Sequence, residues 1–270
     1  MNILEKIIAH KLKVVAERKA LFPVKLLERS LFFESIPVSL KRYTRRKDKV
    51  GIIAEIKRKS PSKGVINPYV SIERTSIGYM QAGASALSVL TDEEFFGGKN
   101  DDLEVARKFN FCPILRKDFI VDEYQIIEAK SIGADAILLI AAALDAKQIK
   151  SFTTIAHSLG LEVLLEVHDA DESNTNLNGG VDLIGVNNRN LKTFEVDINI
   201  SRNLATSIPK DIVRVSESGI GDVKTNIELR QHGFEGFLIG EQFMRNSRPE
   251  AACKELIDQL RFEISKSTEV

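Results

Sequence analysis

The chain has only two cysteines, Cys112 and Cys253, far apart and without a C-x-x-C spacing or Cys/His companions. That excludes a disulfide-stapled secreted fold and gives no basis for a metal site, so both read as core thiols. It also lacks net charge: 38 Lys and Arg balance 38 Asp and Glu. No overall field favours nucleic acid or a membrane as partner, and any bound anion must be held by a local arrangement. Long apolar runs are missing too, since the longest, 136–144, is too short to span a bilayer. Residues 1–20 mix Glu5, Lys6, Lys11, Lys13, Glu17, Arg18 and Lys19 with apolar residues, the pattern of an amphipathic helix rather than a signal peptide. A cytoplasmic location is expected.

What is present is regular. Short apolar runs rich in β-branched residues recur at 50–56, 86–90, 113–116, 136–140, 162–167, 182–186, 212–215 and 236–239. Their spacing, roughly 20 to 35 residues, suits a strand, a loop and a returning helix, and continuous apolar runs fit parallel strands covered on both faces. Eight such units in 270 residues predict an α/β fold, a closed (β/α)8 barrel. Helices are expected from Asp122, Asp145 and Asp222, ending before Gly133, Gly160 and Gly233. The segment 169–180 (DADESNTNLNGG) is poor in helix formers, so a short or distorted fifth helix is expected there. Residues 1–49 form an N-terminal helical extension, with helices over 2–19 and 24–33, packed on a barrel of residues 50–270 as one domain overall. The basic stretch 41–49 (KRYTRRKDK) reads as a solvated linker, with a lid or phosphate-steering segment as the alternative.

Chemistry is expected at the C-terminal ends of barrel strands. Glu55 and Lys57 close the first strand, Lys117 and Asp118 the third, Glu166 the fifth; Asn187, Asn188 and Arg189 follow the sixth, and Ser216, Glu217 and Ser218 close the seventh. Any one of these polar ends fits a structural ion pair, but their convergence on one rim favours catalysis. Glu55 and Lys57 are two apart and leave the same face of a strand. Lys117 becomes a useful acid near neutral pH if burial and nearby cations lower its pKa, and a neighbouring carboxylate opposes that shift. The glycines of 216–221 (SESGIG) and Gly240-Glu241 fall where many barrels cradle phosphate with backbone N–H groups and a short helix N-terminus.

In 54–64 (AEIKRKSPSKG), 115–120 (LRKDFI), 165–169 (LEVHD), 184–191 (IGVNNRNL), 215–220 (VSESGI) and 238–244 (LIGEQFM), the sequence resembles indole-3-glycerol phosphate synthases along essentially its whole length. The resemblance implies a decarboxylating, dehydrating ring closure of 1-(2-carboxyphenylamino)-1-deoxyribulose 5-phosphate, without metal or organic cofactor. It implies that Lys117 is the general acid for the ribulose carbonyl and that Glu166 stabilises the cationic intermediate and assists proton removal. Lys57 lies near the substrate carboxylate and phosphate, Glu55 and Asn187 position lysines and sugar hydroxyls, and Arg189 partners the carboxylate. Ser60, Ser218, Gly219, Gly240 and Glu241 fall where the family binds phosphate or shapes its loops, although an anionic Glu241 is not expected to touch phosphate through its side chain. Pro61, Phe96, Phe119, Leu138 and Leu191 would form the slot for the anthranilate ring. Lys99 stands where relatives usually carry serine and reads as a solvated loop residue.

The nearest enzymatic rival, another phosphate-binding barrel of the same pathway region, phosphoribosylanthranilate isomerase, calls for a cysteine after the first strand, where this chain has Glu55, Ile56 and Lys57. A noncatalytic metabolite- or protein-binding barrel is the rival of another class, and the retained acid and base positions speak against it. The expected partner is a small phosphorylated substrate, with no nucleic acid or membrane, for a monofunctional chain acting as a monomer or weak homodimer.

Overall fold

In the computed structural model, which describes residues 2–268, the eight apolar runs form parallel strands that close on themselves. They are β1 (Ile52–Ile56), β2 (Ala86–Leu90), β3 (Ile114–Lys117), β4 (Ala136–Ile140), β5 (Glu162–Val167), β6 (Leu183–Asn187), β7 (Val213–Glu217) and β8 (Gly236–Ile239). Each pairs with its neighbours in sequence, and β8 returns to β1 with Leu238 opposite Ile53, so the barrel has no exposed edge. Side chains alternate across the wall. Ile53, Leu115, Leu138, Leu164, Val215 and Leu238 fill the interior, while Ile52, Val89, Ile137, Val163, Ile184 and Phe237 pack outward beneath the helices.

Three strands run further towards their C-terminal ends than the apolar pattern suggests, so Lys117, Asn187 and Glu217 belong to the hydrogen-bonded wall rather than to loops. A polar side chain is tolerated there because it faces the barrel mouth. Asp145 and Asp222 cap their helices as expected, with Asp145 joined to Gln148 in a reciprocal cap. The helix expected from Asp122 starts later, at Tyr124–Ser131, with the Asp122 carboxylate accepting the Tyr124 N–H at 2.9 Å. After β5 the chain forms only Ala170–Asn176 and a 3-10 turn, Leu177–Gly179, in keeping with the weak helix formers there.

The extension touches both ends of the barrel. Its first helix, Ile3–Leu21, buries Ile7, Lys11 and Val15, which recur four residues apart and share one face. Lys11 is held between Asp92 at 2.7 Å and Asp118 at 2.8 Å, carboxylates that follow β2 and β3. The expected helix over 24–33 is only Val24–Leu27; beyond it lie turns, because Leu27 alone is buried there and Leu31 is 87% exposed, leaving little packing to hold a longer helix. Farther on, Leu40 plugs the barrel floor against the interior cluster. The basic stretch 41–49 is consequently at the floor: Lys41 N–H meets Glu162 at the start of β5, Arg45 pairs with Glu235 before β8, and Lys49 reaches Ala84 O before β2. That placement overturns the lid or phosphate-steering alternative, since the catalytic ends of the strands are at the opposite face. Cys112 and Cys253 are buried free thiols, and burial pushes both up to about 12. Among the described residues, no helix is long and apolar enough to cross a membrane.

Candidate active site

A cavity of about 560 Å³ opens at the C-terminal ends of the strands. Every residue to which the resemblance gives a role lines it: Glu55, Lys57, Ser60, Pro61, Phe96, Lys117, Phe119, Leu138, Glu166, Asn187, Arg189, Leu191, Ser218, Gly219, Gly240 and Glu241, whereas Asn188 and Ser216 are buried behind it. The wall also includes Ile3, Leu4 and Ile7 of the first helix, which sequence patterning did not assign to the site.

Lys117 stands at its centre. Its Nζ is 2.9 Å from Glu166 Oε2 and 3.3 Å from Glu217 Oε2. Burial alone would lower its pKa, but Glu166, Glu217 and Glu55 overcome burial and raise it well above the usual lysine range. The neighbouring carboxylates therefore prevail, and Lys117 is fully protonated in the resting site. Glu166 is the converse case: burial opposes its charge, yet Lys117, His168 and Asn187 hold the carboxyl well below the usual range. Asn187 donates to Glu166 Oε1 at 3.1 Å.

Glu217 is the residue to which sequence reasoning gave a strand end but no role. Burial, together with the charges of Glu166 and Glu55, outweighs Lys117 and pushes it up to about 7. Space for it comes from Gly185 on β6, where an added Cβ would lie 2.5 Å from Glu217 Oε1. Its signal in the sequence is an acidic residue two positions beyond the apolar run of the seventh strand. Glu55 pairs with Lys57 at 2.7 Å, as their shared face requires. Gly240 is needed beside that pair, because a Cβ there would come within 2.4 Å of Glu55 Oε1.

At one end of the cavity the β7 loop is fixed from behind. Asn188, fully buried, donates at 3.0 Å to Ser216 Oγ, Glu217 O and Ser218 O. Ser218, a left-handed residue at φ 67°, gives its hydroxyl to Asn187 Oδ1 at 2.9 Å. These contacts hold a conformation that a non-glycine residue otherwise resists. Nearby, Glu241 Oε2 lies 3.3 Å from Arg189 Nη2, while Oε1 is paired with Arg245 and lies 3.9 Å from Lys63 Nζ. Arg189 thus shares the Glu241 side of the mouth with the loop residues. At the apolar end, Phe96 and Phe119 face each other with centroids 5.7 Å apart. Lys99 is 57% exposed and 3.4 Å from Asp101, away from this machinery, as expected for a solvated residue.

The sequence pattern of the indole-3-glycerol phosphate synthase family matches residues 4–256. The chain belongs to the indole-3-glycerol phosphate synthase family. It is 49% identical over 248 residues to the indole-3-glycerol phosphate synthase of Bacteroides thetaiotaomicron, covering 92% of this chain and 95% of that one. The enzyme of the same name from Caldanaerobacter subterraneus subsp. tengcongensis is 43% identical over 265 residues, with 96% and 99% covered. Among solved structures, a thiamine phosphate pyrophosphorylase from Pyrococcus furiosus superposes with a TM-score of 0.59 at 15% identity, covering 79% of this chain and 96% of its own, a likeness of fold alone. Family membership gives the chain the enzymatic function of tryptophan biosynthesis that the family name denotes.

Proposed function

We propose that this cavity is a carboxy-lyase site that converts 1-(2-carboxyphenylamino)-1-deoxyribulose 5-phosphate to indole-3-glycerol phosphate, carbon dioxide and water. The observation that carries the reading is Lys117, a buried cation between Glu166 and Glu217, in a cavity with aromatic side chains at one end and the Ser218-Gly219 loop at the other. The ring carbon bearing the carboxylate attacks the ribulose carbonyl, whose oxygen takes a proton from Lys117 Nζ. Loss of carbon dioxide returns the electron pair of the broken bond to the ring. The new hydroxyl then leaves as water, with a proton delivered to it, and a ring proton departs to a carboxylate.

Negative charge develops on the carbonyl oxygen and positive charge on the aromatic amine, so a fixed ammonium and a fixed carboxylate both favour the transition state over the ground state. Glu166 supplies the anion and assists proton removal. Phe96, Phe119, Pro61, Leu138 and Leu191 hold the anthranilate ring; Ser60, Ser218, Gly219 and Gly240 receive the phosphate end. Arg189 and Lys57 draw in the anionic groups, Arg189 exchanging Glu241 for substrate. The chain acts in the cytoplasm on this small phosphorylated substrate, as a monomer or weak homodimer, with neither nucleic acid nor membrane as partner.

The test is direct, because the chain contains no tryptophan and its own emission does not mask an indole product. Purified protein mixed with the synthetic substrate is expected to generate indole fluorescence, and inorganic phosphate at fixed ionic strength is expected to compete. No product from a protein that still binds a substrate analogue would overturn the reading.

A further inference from the structure

Glu166 has a neighbour that does not line the cavity. His168 is two residues beyond it, just past the end of β5 at Val167. Its Nε2 lies 3.4 Å from Glu166 Oε1, and its Nδ1 lies 3.2 Å from Glu172 Oε2. Glu172 is fixed in turn: it accepts the backbone N–H of His168 at 2.8 Å, and its own N–H is capped by Asp169 at 2.8 Å. The imidazole is thus bracketed by two carboxylates, one catalytic and one anchored at a helix start.

We propose that His168 is a positioning residue for Glu166: its imidazole, clamped from behind by Glu172, fixes the carboxylate that faces the substrate's developing cation. The proposal rests on the ring-closure reading of the cavity. Two further observations support it. Nε2 is buried and forms no hydrogen bond, and Glu166 Oε1, 3.4 Å away, is the carboxylate oxygen paired with it. The helix cap does not need the ring, since the backbone N–H of His168 already satisfies Glu172.

With Lys117 on Oε2 and with Asn187 and His168 at Oε1, the carboxylate is held from three directions. Burial would lower the pKa of His168, but Glu166 and Glu172 raise it to about 10, so the ring is cationic at neutral pH. The charged groups facing this cluster are Glu172 from its own segment, Lys117 from β3 and Glu217 from β7. Losing the imidazolium removes a cation from Glu166, raises its pKa, and moves the acidic limb of turnover upward.

The experiment compares His168→Ala, His168→Gln and Glu172→Gln with the parent enzyme. His168→Ala is expected to lower kcat roughly ten- to a hundredfold, the range for losing a buried polar contact to a charged group. KM should stay within about twofold, since the interaction acts on the transition state. The acidic limb of kcat should rise by about one pH unit or more. Glutamine restores a neutral donor near the Nε2 position and should recover most of kcat while leaving the limb high; Glu172→Gln should fall between parent and alanine. A folded His168→Ala enzyme with the parent's kcat and limb would overturn the proposal, as would equal losses in alanine and glutamine variants that track lowered thermal stability. If the parent itself forms no indole product, the ring-closure reading fails, and nitrogen NMR then tests the contact separately. The His168 ring should stay protonated to about pH 10 in the parent and titrate lower in Glu166→Gln; an unchanged titration overturns the link.

Discussion

Lys117 holds its proton more firmly than a lysine near a solvated strand end would, because three carboxylates surround it in a buried site. A general acid must first keep its proton, and this one does. Lys117→Ala is expected to lower kcat by about 10²- to 10⁴-fold while leaving binding of a phosphate-bearing analogue largely intact, measured by product fluorescence and analogue titration. Its strength as an acid depends on Glu217, which titrates near neutral pH. As pH rises through about 7, Glu217 ionises, holds the Lys117 proton more tightly, and weakens the acid. The pH profile of kcat/KM should therefore fall across that ionisation in the parent and lose the step in Glu217→Gln. A step retained in the variant would assign it to another group. Gly219→Val should raise KM sharply, because even a Cβ at that left-handed position would lie 2.4 Å from Val196 Cγ1. An unchanged KM would remove the loop from the phosphate site.

At the scale of elements, the first helix does two jobs that local pattern conceals. In sequence Lys11 is one of several lysines in an amphipathic stretch; in the fold it is 4% exposed and pairs with both Asp92 and Asp118. Asp118 adjoins Lys117, so the same contact docks the helix and steadies the end of β3. Burial raises the carboxyl of Asp118, but Lys11 and Arg116 overcome this and bring it down to about 2. Its stabilising contribution is present above the ordinary carboxylate range and is lost only as pH falls towards about 2. Lys11→Met leaves two buried carboxylates short of a partner and should destabilise the fold by about 3–5 kcal/mol in denaturant titration. Because Ile3, Leu4 and Ile7 line the cavity, it should also raise KM. Parent-like stability would show that the ion pairs are not holding the helix.

The strands, by contrast, were legible, since eight apolar runs at crossover spacing leave few alternatives to a closed parallel barrel. So was nearly all of the polar rim. What local pattern missed depends on contacts distant in sequence: the burial of Lys11, the place of Leu40 in the floor, and the partnership of Glu217 with Lys117. The end of the sixth strand at Asn187 was obscured because polarity in sequence reads as loop, and barrel closure places that residue in the hydrogen-bonded wall.

For the molecule as a whole, the floor and the mouth divide the work. Residues 38–49 tie strand starts together through Asp135, Glu162 and Glu235, while the opposite rim gathers the charged residues around one cavity. The basic stretch contributes to the floor, so neutralising Lys41 and Arg42 should leave KM unchanged at low ionic strength. The proposed reaction has this one cavity break the bond to the substrate carboxyl as it closes the ring. Substrate labelled with 13C at that carboxyl follows the bond itself. One labelled carbon dioxide should be released for each indole product, with both signals lost together in Lys117→Ala; label retained in the product, or carbon dioxide released without indole, would rule out coupled decarboxylation and ring closure in this cavity.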